Sequence, residues 1–86
     1  MLTVYTKPDC VFCVRAKNLL NNRGVEFEEK VLGVDITRDE FVNIYPWART
    51  MPQIFQEDGT SIGGFSQLEE YFKDLPSPGV SINEID

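Results

Sequence analysis

The sequence LTVYTKPDCVFCVRAKNLL, from Leu2 to Leu20, changes its pattern at a Lys-Pro-Asp break. The residues before the break are mostly apolar and β-prone, as in a short strand. After the break, Cys13, Ala16 and Leu20 recur at helical spacing and share one apolar face. This stretch therefore predicts a strand that is followed at once by a helix beginning at Cys10.

Two further segments continue the alternation of strand and helix. Residues 25–32 alternate between apolar and polar as a half-buried strand does. Thr37 and Glu40 then have the spacing of a capping box, which opens a helix, and Pro46 ends the helix. The order up to this point is strand, helix, strand, helix.

The C-terminal part predicts a hairpin and a third helix. Asp58-Gly59 is a strong turn signal between two short β-prone runs within residues 52–62. Ser66 and Glu69 have the spacing of a second capping box, which predicts that a helix begins there.

The complete order, β-α-β-α-β-β-α, allows a right-handed β-α-β unit whose parallel strands are extended by an antiparallel hairpin. We therefore expect an α/β thioredoxin-like fold, a four-stranded mixed sheet flanked by three helices. The domain is expected to cover residues 1–75. Residues 76–86 are expected to form a loosely held acidic tail.

The composition limits the size of the protein and its partners. Its 86 residues suffice for one small domain, and a hydrophobic content of 42% is typical of a folded globule. A net charge of -6, with eight scattered basic residues, disfavours nucleic acid and anionic lipid as general partners. No apolar run is long enough to span a bilayer and no export signal is recognisable, so we expect a cytoplasmic protein without a membrane partner.

Cys10 and Cys13 form a Cys-x-x-Cys pair, for which three explanations compete: a metal site, a redox pair, or two inert core thiols. A structural zinc site needs four ligands, and this chain has no histidine and no third cysteine. Zinc binding would have to recruit carboxylates or a second subunit, so we predict no metal site. The lack of histidine also excludes a Cys-His hydrolase. A redox pair fits best, because a helix N-terminus favours the thiolate and Lys7 adds positive charge.

The two thiols are expected to have different roles. Cys10 lies at the exposed start of the predicted helix, whereas Cys13 lies one turn later on its apolar face and should be buried. Cys10 is thus the predicted nucleophile toward a substrate disulfide. Cys13 is the predicted resolving thiol, which expels the product from the mixed disulfide.

Three motifs together resemble the glutaredoxin family: CVFC at 10–13, TMPQIF at 50–55 and IGGF at 62–65. The resemblance covers residues 1 to about 75, and the segment TMPQIFQEDGTSIGGFSQLEEYFK further resembles glutaredoxins encoded by bacteriophages. Thioredoxin itself fits less well, because its active site looks like WCGPC and no tryptophan precedes Cys10.

The resemblance implies a thiol–disulfide oxidoreductase that uses glutathione as co-substrate and binds no cofactor permanently. It implies a cis bond between Met51 and Pro52, with the Met51 backbone turned outward to pair with glutathione like an added strand. It also implies that Lys7 and Arg49 meet the glycyl carboxylate, and that Gly64 holds the γ-glutamyl carboxylate at a helix start. The implied glutathione site comprises Lys7, Phe12, Arg49, Thr50, Met51, Pro52, Gly64, Phe65 and Ser66.

Three positions depart from the family pattern. Ser66 stands where many glutaredoxins have an aspartate that helps to bind the γ-glutamyl ammonium, and serine supplies a hydroxyl without the charge. Val11 and Phe12 replace the proline and tyrosine that are common between the two cysteines. The reduction potential of the family therefore cannot be carried over to this chain.

The partners implied by the resemblance are glutathione, disulfide-bonded or glutathionylated proteins and, for a phage-like member in its host cytoplasm, ribonucleotide reductase. We expect a monomer. One alternative is a related hydrogen donor that thioredoxin reductase reduces, although IGGFSQL stands here in place of its Trp-Ser-Gly-Phe-Arg-Pro segment. Another is a non-catalytic [2Fe–2S] carrier that uses Cys10 and glutathione from two subunits. Its specialised members have CGFS, so Cys13 disfavours that alternative.

Overall fold

The computed structural model describes residues 1–73, which form one sheet with three helices. In chain order the elements are β1 (Leu2–Thr6), α1 (Val11–Asn22), β2 (Phe27–Val31), α2 (Arg38–Ile44), β3 (Gln53–Phe55), β4 (Ser61–Gly63) and α3 (Phe65–Lys73). The predicted element order is confirmed. The expected domain end at residue 75 and the expected tail over 76–86 lie outside the described residues.

The sheet has the strand order β2-β1-β3-β4. β1 pairs with β2 in parallel, with Leu2 opposite Phe27 and Thr6 opposite Val31. β3 runs antiparallel to both of its neighbours, β1 and β4. The parallel pair therefore belongs to the β1-α1-β2 unit, and the β3–β4 hairpin extends the sheet on the other side of β1, as predicted.

Helices cover both faces of the sheet, and the period-two alternation of the strands divides the core between them. One layer, between the sheet and the pair α1 and α3, consists of Val4, Ala16, Leu20, Ile54, Leu68 and Phe72. The other layer lies under α2 and consists of Tyr5, Phe41 and Phe55. Because β1 contributes to both layers, its C-terminal end is fixed from both sides where it leads into the cysteine pair.

The start of α2 agrees with the sequence pattern, but the start of α3 does not. Thr37 and Glu40 form the predicted reciprocal capping box, with hydrogen bonds of 2.9 and 3.0 Å. The predicted box of Ser66 and Glu69 is wrong, because α3 already includes Phe65.

Glycines explain why α3 begins earlier than predicted. The Gly64 N–H donates to Oε1 of Gln67 over 2.9 Å, and the Gly64 carbonyl accepts the first helical hydrogen bond from Leu68. Gly63 has a φ of +113°, and a Cβ added there would lie 2.9 Å from the Gln67 side chain. The glycine pair thus lets the chain turn from β4 directly into α3.

Within residues 1–73, no helix combines the length and the apolar content that a membrane crossing requires.

Candidate active site

The two cysteines lie at the start of α1 and form a disulfide, with their Cα atoms 5.2 Å apart. Cys10 is the N-cap residue, and its sulfur accepts a hydrogen bond of 3.2 Å from the N–H of Cys13. The first N–H groups of a helix have no acceptor within the helix. At most helix starts a hydroxyl or carboxylate oxygen of the N-cap residue accepts from one of them, and here the Cys10 sulfur does so instead. The same N–H and the positive end of the helix stabilise a thiolate at Cys10.

The two sulfurs differ in their access to solvent. Only 2% of Cys13 is exposed, on the face that α1 presents to the core, whereas Cys10 is partly exposed. The residues that follow Cys10 at the start of α1 include three exposed apolar side chains, Val11, Phe12 and Val14. This arrangement agrees with the predicted difference between an accessible thiol and a shielded one.

The Met51–Pro52 segment lies against Cys10. Its peptide bond is cis, as the resemblance implied, and the Met51 carbonyl oxygen is 3.7 Å from the Cys10 sulfur. The Gln53 side chain holds this segment by donating to the Thr50 carbonyl over 2.8 Å. The backbone just before β3 is therefore within reach of a ligand that is bonded to Cys10.

A groove of about 610 Å³ continues from the Met51 segment and contains three cationic side chains, Lys7, Arg38 and Arg49. Thr50 and Met51 line the same groove, and Leu32, Phe41 and Val42 supply part of its apolar wall. None of the lining residues within the described 1–73 is acidic. We call this feature the three-cation groove. Because the chain as a whole is acidic, this groove offers an unusual local attraction for an anion.

The start of α3 forms the other side of the site. The Phe65 ring lies 5.9 Å from the Phe12 ring, which places the α3 start beside the cysteine pair. A Cβ added at Gly64 would lie 3.5 Å from the Pro52 carbonyl oxygen, so this glycine packs closely against the cis-proline segment. Since its N–H already donates to Gln67, that side chain must move before Gly64 can donate to a ligand.

The sequence model of the glutaredoxin family matches residues 2–62. The chain belongs to the glutaredoxin family. Glutaredoxin of enterobacteria phage T4 is 39% identical over an alignment of 79 positions, and the match covers 74% of this chain and 85% of the phage protein. Hybrid peroxiredoxin hyPrx5 of Haemophilus influenzae is 44% identical over 71 residues, or 83% of this chain, and this chain spans only 29% of that protein.

Solved structures agree with this membership. The crystal structure of a buckwheat glutaredoxin–glutathione complex matches with a TM-score of 0.65 at 26% identity, over 85% of this chain and 68% of the buckwheat chain. The predicted family and the predicted thioredoxin-like fold are both confirmed.

The fold of this glutaredoxin brings some of the expected glutathione-site residues together and separates one of them. Lys7, Arg49, Thr50 and Met51 share the three-cation groove. The remaining residues lie outside that groove, near the cysteine pair: the Phe12 and Phe65 rings are neighbours, and Gly64 packs against Pro52. Ser66 is exposed and lines a different groove, between α1 and α3.

Arg38 is the groove residue that the sequence interpretation missed. It is the first residue of α2, directly after the Thr37 cap, where the positive end of the helix disfavours a cation. The sequence could have indicated Arg38 in one way: a positive side chain at the positive end of a helix is locally unfavourable, and residues that break a local rule are often functional. Among residues 1–73, no cluster of three or more Cys, Asp or Glu side chains has the arrangement of a metal site.

Proposed function

We propose that this protein is a glutathione-dependent thiol–disulfide oxidoreductase that reduces protein disulfides and glutathione mixed disulfides. The observation that carries the proposal is the position of the Cys10 sulfur, 3.7 Å from the carbonyl oxygen of Met51, a residue that lines the three-cation groove. The Cys10 thiolate attacks a substrate disulfide and forms a mixed disulfide. In the two-thiol route, Cys13 then attacks the Cys10 sulfur and releases the second product as a thiol, and glutathione afterwards reduces the Cys10–Cys13 disulfide. In the one-thiol route, a glutathione thiolate attacks the glutathione sulfur of the mixed disulfide, which forms oxidised glutathione and releases the Cys10 thiolate.

The charge distribution supports glutathione as the co-substrate. Glutathione is an extended tripeptide of net negative charge, and an acidic protein needs local cations to bind it. With its sulfur at Cys10, the tripeptide can pair with the Met51 backbone as an added strand does, and its glycyl carboxylate then enters the three-cation groove. The buckwheat relative was solved as a complex with glutathione, which supports the same assignment.

We extend the proposal to ribonucleotide reductase as an electron acceptor in the cytoplasm, with the protein acting as a monomer. This part of the proposal rests on the resemblance of the motifs to bacteriophage glutaredoxins, and the match to the phage T4 glutaredoxin agrees with that resemblance.

The experiment that tests glutathione dependence compares two reductants of the Cys10–Cys13 disulfide. We expect glutathione, regenerated by glutathione reductase, to reduce the disulfide, and thioredoxin reductase to reduce it slowly or not at all. Reduction by thioredoxin reductase alone would contradict the proposal and remove the glutathione roles of Arg49, Met51 and Gly64. Visible absorbance of anaerobically purified protein tests the cluster-carrier alternative independently.

A further inference from the structure

Glu29 places a carboxylate on the core side of β2. Phe27, two residues earlier on the strand, packs into the layer under α1 and α3, and alternation puts Glu29 on that same face. Val4, which pairs with Glu29 in the sheet register, is fully buried in this layer. A charged residue therefore occupies a position that the strand pattern normally reserves for an apolar one.

Two donors hold this carboxylate in place. The Thr6 hydroxyl donates to Oε2 of Glu29 over 2.7 Å, and the Lys17 ammonium donates to the same oxygen over 3.0 Å. Partial burial by itself raises the pKa of Glu29, but the hydrogen bonds from Thr6 and Lys17 outweigh that effect and the pKa lies below its ordinary value. Glu29 is thus ionised at neutral pH, with Lys17 as its counter-ion.

The ion pair lies beside the shielded thiol. Lys17 follows Cys13 by one helical turn on α1, a spacing that makes their side chains neighbours. Cys13, Lys17, Glu29 and Thr6 line one groove of about 640 Å³, which opens beside Cys10. The other charged residues that line it are Lys7 and Asp9, both exposed in the loop between β1 and α1.

We propose that Lys17 and Glu29 are a positioning pair in which each charge offsets the effect of the other on the acidity of the Cys13 thiol, so that loss of either partner changes the rate at which the mixed disulfide is resolved. The inference rests on the proposed dithiol reaction. In the resolving step the Cys13 thiol loses its proton to solvent through the groove, and the thiolate attacks the Cys10 sulfur. The Cys10–Cys13 bond forms as the bond from Cys10 to the substrate sulfur breaks, and the departing thiolate takes a proton from solvent. The two cysteines supply both electrons.

The two charges of the pair act on Cys13 in opposite directions. A positive charge near a thiol favours the thiolate, whereas a negative charge disfavours it. Lys17→Met leaves Glu29 unpaired and should raise the pKa of the Cys13 thiol, while Glu29→Gln leaves Lys17 unpaired and should lower it. We expect each shift to be about one pKa unit, because the groove is partly open to solvent. One unit corresponds to about a tenfold change in the thiolate fraction below the pKa.

The test measures the pKa of Cys13 in the Cys10→Ser background, by the ultraviolet absorbance of the thiolate as a function of pH. Lys17→Met and Glu29→Gln should shift the pKa in opposite directions. The uncharged double variant and Lys17→Arg should both stay close to the parent value. Matched controls come from Glu28 and Lys30, a more exposed pair on the same strand at 3.8 Å, whose neutral variants should leave the Cys13 pKa unchanged.

Shifts of the same sign in the two single variants, or no shift in either, would overturn the proposal, because a merely structural role damages the fold whichever charge is removed. If Lys17→Met does not fold, Lys17→Gln takes its place, and Lys17→Gln must also raise the pKa of the Cys13 thiol. The titration uses no glutathione. A failure of glutathione dependence therefore leaves its result unaffected, and a failure here leaves the reductant comparison intact.

Discussion

Arg38 gives the sharpest prediction for glutathione binding, because it is the groove cation that neither the motifs nor the resemblance singled out. A groove of about 610 Å³ has a radius of about 5 Å if treated as a sphere, so a carboxylate at its centre lies about 5 Å from a lining cation. Arg38 is exposed, so the dielectric constant of water applies and the attraction is about 0.8 kcal/mol. Arg38→Gln should therefore lower kcat/KM for glutathione about fourfold, and Arg38→Glu about 15-fold.

The assay measures removal of glutathione from a glutathionylated peptide at varied glutathione concentration. The loss should appear mainly in KM, since the cation binds the carboxylate far from the reacting sulfurs. Raising the salt concentration to about 1 M should remove most of it, because the Debye length then falls to about 3 Å. The matched control is Lys73→Gln, which makes the same change in net charge at an exposed residue of α3 paired with Glu70. Equal losses in the Arg38 and Lys73 variants would refute a local role for Arg38.

Three further predictions follow from the thiols, the core and the ion pair. Cys10→Ser should abolish all turnover, whereas Cys13→Ser should lose reduction of protein disulfides and keep removal of glutathione; equal loss of both activities in Cys13→Ser would contradict the assigned roles. Phe41→Ala should destabilise the domain by about 3 to 5 kcal/mol in urea unfolding, because Phe41 is the buried anchor of α2 with 1% of its surface exposed. Glu29→Gln should make the free energy of unfolding fall less steeply as the pH is lowered. The reason is that the pKa of Glu29 is lowered in the folded protein. Such a carboxylate stabilises the fold above its unfolded-state pKa, and this contribution is lost as the pH falls through its folded-state pKa. Unfolding midpoints that fall equally steeply between about pH 5 and 3 in both proteins would contradict this last prediction.

The element order was predictable from sequence because strands and helices of this chain are separated by strong local signals. The capping box of Thr37 and Glu40 and the Asp58-Gly59 turn act within four residues, so no tertiary information is needed to recognise them. The start of α3 was not predictable in the same way. Ser66 and Glu69 had suitable spacing, but the conformation of the preceding glycines and the reach of Gln67 decided the cap.

The candidate site was predictable only where one short motif contains it. The Cys-x-x-Cys pair and its helix start are local, and their unequal exposure follows from the helical period. Arg38 and Glu29 were missed because the groove that contains each is assembled from segments far apart in the chain. Glu29 was also difficult to recognise because it lies in a strand. In an alternating strand pattern, a polar residue indicates the solvent side of the sheet rather than the core side.

Most of the basic residues lie in or beside the two grooves, which share Lys7 as a lining residue. The chain carries a net charge of -6. Four of its cations nevertheless line the groove beside Cys10 or the groove beside the Met51 segment: Lys7, Lys17, Arg38 and Arg49. A fifth, Arg15, lies 5.4 Å from the centre of the Phe12 ring. Five of the eight basic residues therefore line one of the two grooves or lie against Phe12 between the cysteines. Such a local positive field on an acidic protein draws anionic ligands toward the site and away from the remaining surface. Lys17 differs from the other four because Glu29 neutralises it within the groove. The unpaired cations are therefore the ones that we propose for binding an anionic ligand, and we propose the Lys17–Glu29 pair as a neutral unit beside Cys13 whose balance either single substitution would disturb.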